Sequence, residues 1–243
     1  MSYQSNLPQI PSSSTWALAD REATQRMFVQ RVYGWMAGGL ALSSVFALAV
    51  ASSPQLTYTI AVSPVKWVFF IGLLGLVMWI SAGINRMSAS TATVLFLVYA
   101  ALNGAFLSVI FYVYAPAAIA MTFFVTAGTF GAVAAYGATT RRDLTSVGSF
   151  MFMGLIGLIL ASLVNFWFRS PMVYWLTTYF GVFIFVGLTA YDAQKIKRIG
   201  AEVALDREGS GRASILGALA LYLDFINLFL FMLRIFGGGR SRD

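Results

Sequence analysis

The 243-residue chain is 59% hydrophobic and only 10% charged, with a mean hydropathy of +0.77, whereas about 25% of the residues in soluble proteins are charged. It contains no cysteine and no histidine, which excludes disulfides, thiolate metal sites, cysteine nucleophiles and histidine acid–base catalysis. The formal net charge of +7 does not require a nucleic-acid partner, because membrane proteins concentrate Lys and Arg in their cytoplasmic loops. The composition therefore predicts an all-α polytopic membrane protein whose main partner is the lipid bilayer.

The N-terminal segment, residues 1–26, is predicted to be a polar tail, and it lacks the basic start and apolar core of a signal peptide. Residues 27–243 are predicted to form a single transmembrane domain, because the connections between their apolar stretches are short. Seven stretches approach the roughly 20 apolar residues with which a helix crosses a bilayer. They are residues 33–53, 67–84, 92–114, 117–139, 147–168, 172–196 and 213–236.

Basic residues differ in number between the two sides of these spans, with eleven Lys and Arg on the side of the N-terminus and five on the other. Because cytoplasmic loops carry the excess, the N-terminus is predicted to be cytoplasmic. Arg141, Arg142 and Asp143 are interpreted as an ordinary cytoplasmic loop. The C-terminal tail disagrees, since seven full spans place Arg240 and Arg242 outside. A last helix that enters the membrane without crossing it would remove the disagreement.

Small residues recur at helical spacing inside the spans and predict close helix packing. They are Gly34 with Gly38, Gly72 with Gly75, Ala127 with Gly131, and Gly154 with Gly157.

Two aspartates, Asp192 and Asp224, interrupt the last two apolar stretches and are the main candidates for a functional site. Asp224 lies near the middle of its stretch, where a charged side chain costs at least ~2.5–3.5 kcal/mol. The polar segment 206–211 is predicted to be a turn almost midway between the two aspartates, so an antiparallel hairpin can bring their carboxyls face to face.

Two carboxylates about 4 Å apart repel by roughly 4 kcal/mol at an effective dielectric near 20, which favours a pair that shares one proton. Such a pair acts as a pH-sensitive switch between two helices. Asn227 lies one turn after Asp224 on the same face and extends the polar strip. Simpler alternatives remain open: Asp192 pairs with Lys195 at the membrane interface, or Asp224 makes a buried structural hydrogen bond.

Arg86 ends the second span and has two possible roles. It is either a snorkelling residue that determines topology or the counter-ion of an aspartate at a cytoplasmic mouth. An intramembrane aspartyl protease is disfavoured, because residues 221–224 read LYLD where that chemistry uses GxGD. No nucleophile, base and oxyanion hole can be assembled from these residues, so no enzyme activity is expected.

The segments YDAQKIKRIG and ALYLDFINLFLFMLRIFG, together with GINRMSAS, NGAFLSVIF and TTRRDLTSVGSF, resemble the transmembrane Bax inhibitor motif family, in its bacterial Bax inhibitor-1-like branch. The resemblance covers the chain apart from about the first 25 residues. It implies a seven-helix bundle in which the last helix is central and the other six surround it. It also implies a pH-sensitive calcium leak gated by an aspartate pair matching Asp192 and Asp224, with an arginine matching Arg86 as a latch.

The resulting hypothesis is a calcium leak channel of the bacterial inner membrane, with calcium as the transported ion and no cofactor. Asp192 and Asp224 would bind calcium weakly, because two carboxylates fall short of its usual six to eight oxygen ligands. The alternative hypothesis, which rests on the resemblance and on the polar tail, is an interaction protein that modulates a membrane-bound AAA protease.

Overall fold

The computed structural model describes residues 13–202 and 207–238, and it is helical throughout these ranges apart from short connections. A single-turn 3-10 helix at Ile84–Arg86 follows the third helix. The α-helices are α1 Ser13–Ala51, α2 Pro54–Val62, α3 Val65–Gly83, α4 Ala89–Leu107, α5 Ile110–Val113, α6 Pro116–Thr139, α7 Thr145–Phe168, α8 Pro171–Glu202 and α9 Arg207–Phe236.

Seven helical segments of the described chain are long and apolar enough to cross a membrane, which confirms the predicted number of spans. Six of them are α1, α3, α6, α7, α8 and α9, and the remaining one, Ala89–Val113, combines α4 with the short helix α5. The protein is therefore an integral membrane protein with seven spans. Helix α1 begins at Ser13, inside the segment for which the sequence predicts a polar tail, and residues 1–12 lie outside the described range.

The helix boundaries follow local signals in the sequence. Pro54, Pro116 and Pro171 open α2, α6 and α8, where a missing backbone N–H costs nothing. Ser88 caps α4 by accepting a hydrogen bond from the Thr91 amide at 3.1 Å. The predicted turn at 206–211 is misplaced: residues 207–211 already belong to α9, and residue 206 lies outside the described range.

Helix α9 is the central element of the bundle. Within its most apolar window 67% of the residues are buried, against at most 39% in any other span of the described chain. It packs against α1, α4, α6 and α8, while the outer faces of the surrounding helices expose large apolar side chains. The expectation of a central last helix is confirmed.

The loop between α6 and α7 is tied to α8, the helix that carries Asp192. Gln194 accepts a hydrogen bond from the Leu144 amide at 2.9 Å and donates one to the Arg142 carbonyl at 2.8 Å. In the same loop, hydrogen bonds from the hydroxyl and the amide of Thr145 hold the pKa of Asp143 below its usual value. These contacts fix the axial position of α8 relative to α7.

Candidate functional site

A cavity of about 1240 Å³ lies beside the central helix. It exceeds the roughly 300–1,000 Å³ of typical small-molecule sites. Its walls come from α3, α4, α7, α8 and α9. Lys195 and Ser81 line one end, near the α8–α9 connection, and Phe70, Phe106 and Phe231 line the other. The two ends are called the Lys195 end and the Phe231 end below.

The structure brings Asp192 and Asp224 together on the wall of this cavity. Asp192 projects from α8 and Asp224 from α9, and their side chains are within hydrogen-bonding contact of each other. The arrangement agrees with the facing carboxyls predicted for an antiparallel hairpin. Their roles as pH sensor, ion pathway and calcium ligands stay predictions.

Asp224 is 5% exposed, so almost none of its side chain contacts solvent or lipid. Its Oδ2 atom is buried and has no hydrogen-bond partner among the described residues. Burying such an oxygen is costly unless a proton, a cation or a donor satisfies it. The interpretation of Asp224 as the acceptor of a conventional structural hydrogen bond therefore does not account for Oδ2.

Two amide side chains also line the cavity near the carboxyl pair. The Nδ2 atom of Asn227 donates to the Leu223 carbonyl at 2.8 Å, within α9. Asn103, on α4, donates from Nδ2 to the hydroxyl of Tyr222 at 2.8 Å. Sequence reasoning missed Asn103, although a lone amide inside an apolar span is a signal that could have identified it.

The hydroxyl of Tyr222 is the centre of a buried hydrogen-bond chain that fixes α9. Its Oη lies 2.7 Å from Oγ of Ser43. The same Ser43 hydroxyl donates a hydrogen bond to the Ala100 carbonyl oxygen at 2.7 Å. Together with the bond from Asn103, these hydrogen bonds join α1 and α4 to α9 at Tyr222, two residues before Asp224. The depth of Asp224 in the bundle is therefore determined by polar contacts as well as by packing. Tyr222 is the only tyrosine of α9, whose other aromatic residues are all Phe, so its hydroxyl was a signal in the sequence, but its partners on α1 and α4 were not.

Lys195 lies at the rim of the cavity, one turn from Asp192. Its Nζ atom is 5.8 Å from the centroid of the Tyr191 ring, a cation–π geometry. Among the described residues no direct ion pair joins Lys195 to Asp192, but the ammonium lies close enough to attract the Asp192 carboxylate, so the alternative of an interfacial pair stays open.

Arg86 is not brought to the aspartate pair. It is exposed at the end of the 3-10 helix after α3 and does not line the cavity. Instead, Arg212 of α9 reaches this turn and donates to the Asn85 carbonyl at 3.2 Å. The latch role of Arg86 stays a prediction.

The described residues contain no group of three or more acidic, histidine or cysteine side chains that could hold a metal ion. The aspartate pair can supply carboxylate oxygens to a hard cation, and Asn103 and Asn227 can supply amide oxygens. Such a sparse set suits transient contact with a cation better than permanent coordination.

Comparison with known proteins agrees with the architecture. Residues 25–241 match the sequence model of a family described as "Inhibitor of apoptosis-promoting Bax1". The chain is 49% identical over 232 residues to the inner membrane protein YbhL of Escherichia coli (strain K12), covering 92% of this chain and 97% of that protein. It is 45% identical over 215 residues to an uncharacterized protein of Borreliella burgdorferi, covering 88% and 93% of the two chains.

A membrane protein of Streptococcus pyogenes, SpyM3_0260, is 35% identical over 212 residues, covering 86% of this chain and 92% of that protein. Both the family match and these relatives span nearly all of the seven helices. The chain therefore belongs to the Bax inhibitor-1 family, described as inhibitor of apoptosis-promoting Bax1.

Proposed function

We propose that this protein is a passive, pH-sensitive leak pathway for calcium or a similar cation, without catalytic turnover, and that the Asp192–Asp224 pair is its switch. The observation that carries the proposal is the contact between two carboxyl groups on the wall of a largely apolar cavity. The unpartnered Oδ2 atom of Asp224 offers a position for a proton or a cation.

A shared proton provides the switch. With one proton between them, the two carboxyl groups hydrogen-bond and hold α8 and α9 together. Without it, two charges about 4 Å apart repel by roughly 4 kcal/mol at an effective dielectric near 20. That repulsion separates the helices or recruits a cation, so proton loss and cation entry are linked.

A weak cation site fits a leak. Calcium takes six to eight oxygen ligands, and the cavity offers the two carboxylates with the amide oxygens of Asn103 and Asn227. Water must supply the remainder, which keeps affinity low and lets the ion leave. At the Phe231 end Phe70, Phe106 and Phe231 line the wall, and apolar walls resist ion passage by excluding water.

The proposed location is the bacterial inner membrane, with the N-terminus in the cytoplasm. The name of the Escherichia coli relative supports the membrane assignment. The excess of Lys and Arg on the side of the N-terminus supports the orientation.

Purified full-length protein in sealed liposomes tests the proposal. Calcium entry is followed with an encapsulated fluorescent indicator across a series of external pH values, with protein-free liposomes as the control. We expect flux without any partner and a change in its rate with pH. Absence of flux at every pH would reject the leak, and binding to a membrane-bound AAA protease by the same preparation would then favour the alternative of a protease modulator.

A further inference from the structure

The cavity that holds the aspartate pair is open sideways, between α3 and α7. Helix α3 packs along α4, and α7 packs along α8, so neither covers the other. Five large apolar side chains that line the cavity on these two helices are exposed over at least half of their surface. They are Phe70, Leu74, Phe152, Met153 and Ile159.

These side chains belong to the central parts of two membrane-spanning helices. An opening there faces the hydrocarbon of the bilayer rather than water. The walls beside it are apolar, including Val77, Leu155 and Leu158. Hydrocarbon therefore enters this side of the cavity most readily, because apolar surfaces take up apolar molecules and exclude water, whereas the carboxyl pair on α8 and α9 keeps its own part of the cavity polar.

The width of the opening favours a single chain over a helix. Trp67 of α3 and Phe166 of α7 meet edge to face with their ring centroids 6.1 Å apart, which closes the opening near the Phe231 end. A partner helix, about 10–12 Å across with its side chains, would need α3 and α7 to stay apart along their whole length. An acyl chain needs only the part of the opening nearer the Lys195 end.

The Lys195 end supplies the polar groups that a lipid headgroup requires. Lys195 is exposed, lines the cavity and forms no ion pair with any described residue. Ser81, also exposed on the wall, has no hydrogen-bond partner within the described chain. One cation and one free hydroxyl suit an anionic phosphate. Asp192, one turn deeper, would repel a phosphate there, so the headgroup is confined to the rim.

The dimensions agree with this placement. Ser149 and Ile159 both line the cavity along α7 and are ten residues, or about 15 Å, apart. The hydrocarbon of one leaflet is about 15 Å thick, half of the 30 Å core. We propose that the cavity binds one anionic phospholipid, with its phosphate at Lys195 and Ser81 and one acyl chain lying between α3 and α7 beside the carboxyl pair. This site does not depend on ion conduction.

Photocrosslinking tests the proposal with the full-length chain. The protein is placed in phosphatidylcholine nanodiscs with a small fraction of phosphatidylglycerol that carries a diazirine at mid-chain, and adducts are mapped by peptide mass spectrometry. We expect adducts concentrated on residues 70–77 and 152–159, and competition by unlabelled phosphatidylglycerol but much less by phosphatidylcholine. Adducts spread evenly over exposed faces such as that of Met121 and Phe124 on α6, or equal competition by both lipids, would overturn it.

Variants separate the headgroup from the acyl chain. Lys195→Gln should weaken competition by phosphatidylglycerol about fivefold, the usual contribution of one lysine near an anionic lipid surface. Lys66→Gln is the matched control, since Lys66 also lies over a neighbouring aromatic ring, at 6.0 Å from Trp67. Ile159→Trp should remove adducts by filling the opening, while Leu163→Trp, one turn further on α7 and outside the cavity, should not. The site would be rejected if both lysine variants, or neither, weakened competition by phosphatidylglycerol. It would also be rejected if both tryptophan variants, or neither, removed the adducts.

Discussion

Asp224 is almost fully buried in the central helix and contacts a second carboxyl, so its protonation state alters the charge of the cavity directly. Most other charged residues whose burial the structure describes are exposed, where water solvates them. The difference makes Asp224 the residue at which a single substitution is most informative.

Asp224→Asn should change the pH dependence of calcium flux more than its maximum, because a neutral isostere imitates the protonated state. The measurement is liposome flux across a pH series. Glu22→Gln serves as the control, since Glu22 is exposed on α1, pairs with Arg26 of the same helix and should leave the profile unchanged. An unaltered profile in Asp224→Asn would count against a gating role.

Asp192 and Asp224 should titrate as one coupled unit, because their side chains are in contact. Coupled groups lose their protons in two macroscopic steps that belong to the pair. Infrared titration of the protonated carboxyl band should show both steps in the wild type. In Asp192→Asn and in Asp224→Asn it should show a single step, at a pH that matches neither of the two wild-type steps. A surviving aspartate that titrates at one of the wild-type steps would mean that the pair shares no proton.

Arg86→Ala distinguishes a latch from a topological role. If Arg86 approaches the aspartate pair in a closed state, its removal should make the protein leakier. If it only determines topology, insertion should fall while flux per inserted molecule stays the same. Reporter fusions and flux are measured on the same preparations, with Arg142→Ala as an exposed-arginine control. Normal flux together with normal topology would remove Arg86 from the site.

At the scale of helices, close packing occurs at glycines that the sequence did not single out. A Cβ atom added at Gly137 of α6 would lie 2.1 Å from the Ala190 carbonyl oxygen of α8. One added at Gly104 of α4 would lie 2.3 Å from the Ser43 carbonyl oxygen of α1. The contacted atoms are backbone, so the helices themselves must separate. Ala190 is two residues before Asp192, which links this packing to the position of the carboxyl pair.

Gly137→Ala should therefore destabilise the protein by about 1–3 kcal/mol, the usual cost of overpacking. Gly131→Ala on the same helix is the matched control, since its added methyl meets no atom within 4 Å. Thermal unfolding in detergent is followed by the fraction of protein that stays monodisperse. Gly137→Ala should unfold at a lower temperature than the wild type, and Gly131→Ala at the same temperature as the wild type. Equal stability of the two variants would show that α6 and α8 do not need this close approach.

At the scale of the whole molecule, an odd number of spans puts the two termini on opposite sides of the membrane. We expect the N-terminus in the cytoplasm because the basic residues are more numerous on its side. Fusions of a periplasm-active and a cytoplasm-active reporter to each end test this. Both termini in the cytoplasm would indicate that one of the seven helices enters the membrane without crossing it.

Several features could be determined from the sequence because they depend on local patterns. Apolar length predicts the seven spans, and an aspartate inside such a stretch is identifiable without any knowledge of its neighbours. The pairing of Asp192 with Asp224 was expected because both lie in consecutive helices and at similar distances from a turn predicted at 206–211. In the structure Asp192 lies closer to the end of α8 than Asp224 lies to the start of α9, so the pairing depends on the packing of the two helices as well as on the position of the connection. The position of that connection was less accurate, since the polar residues of 207–211 continue into α9 as helix.

Other features depend on which faces of distant helices meet, and only the tertiary structure decides them. Gly34, Gly38, Gly72 and Gly75 have the spacing of packing motifs, yet an added Cβ at each meets nothing within 4 Å. Asn103 and Tyr222 are 119 positions apart, and no local pattern predicts their hydrogen bond. The sideways opening between α3 and α7 arises because each helix packs on a different neighbour. In a soluble protein the apolar side of a helix shows which face is buried. A helix in lipid is apolar on every side, so only three-dimensional packing decides which face contacts another helix.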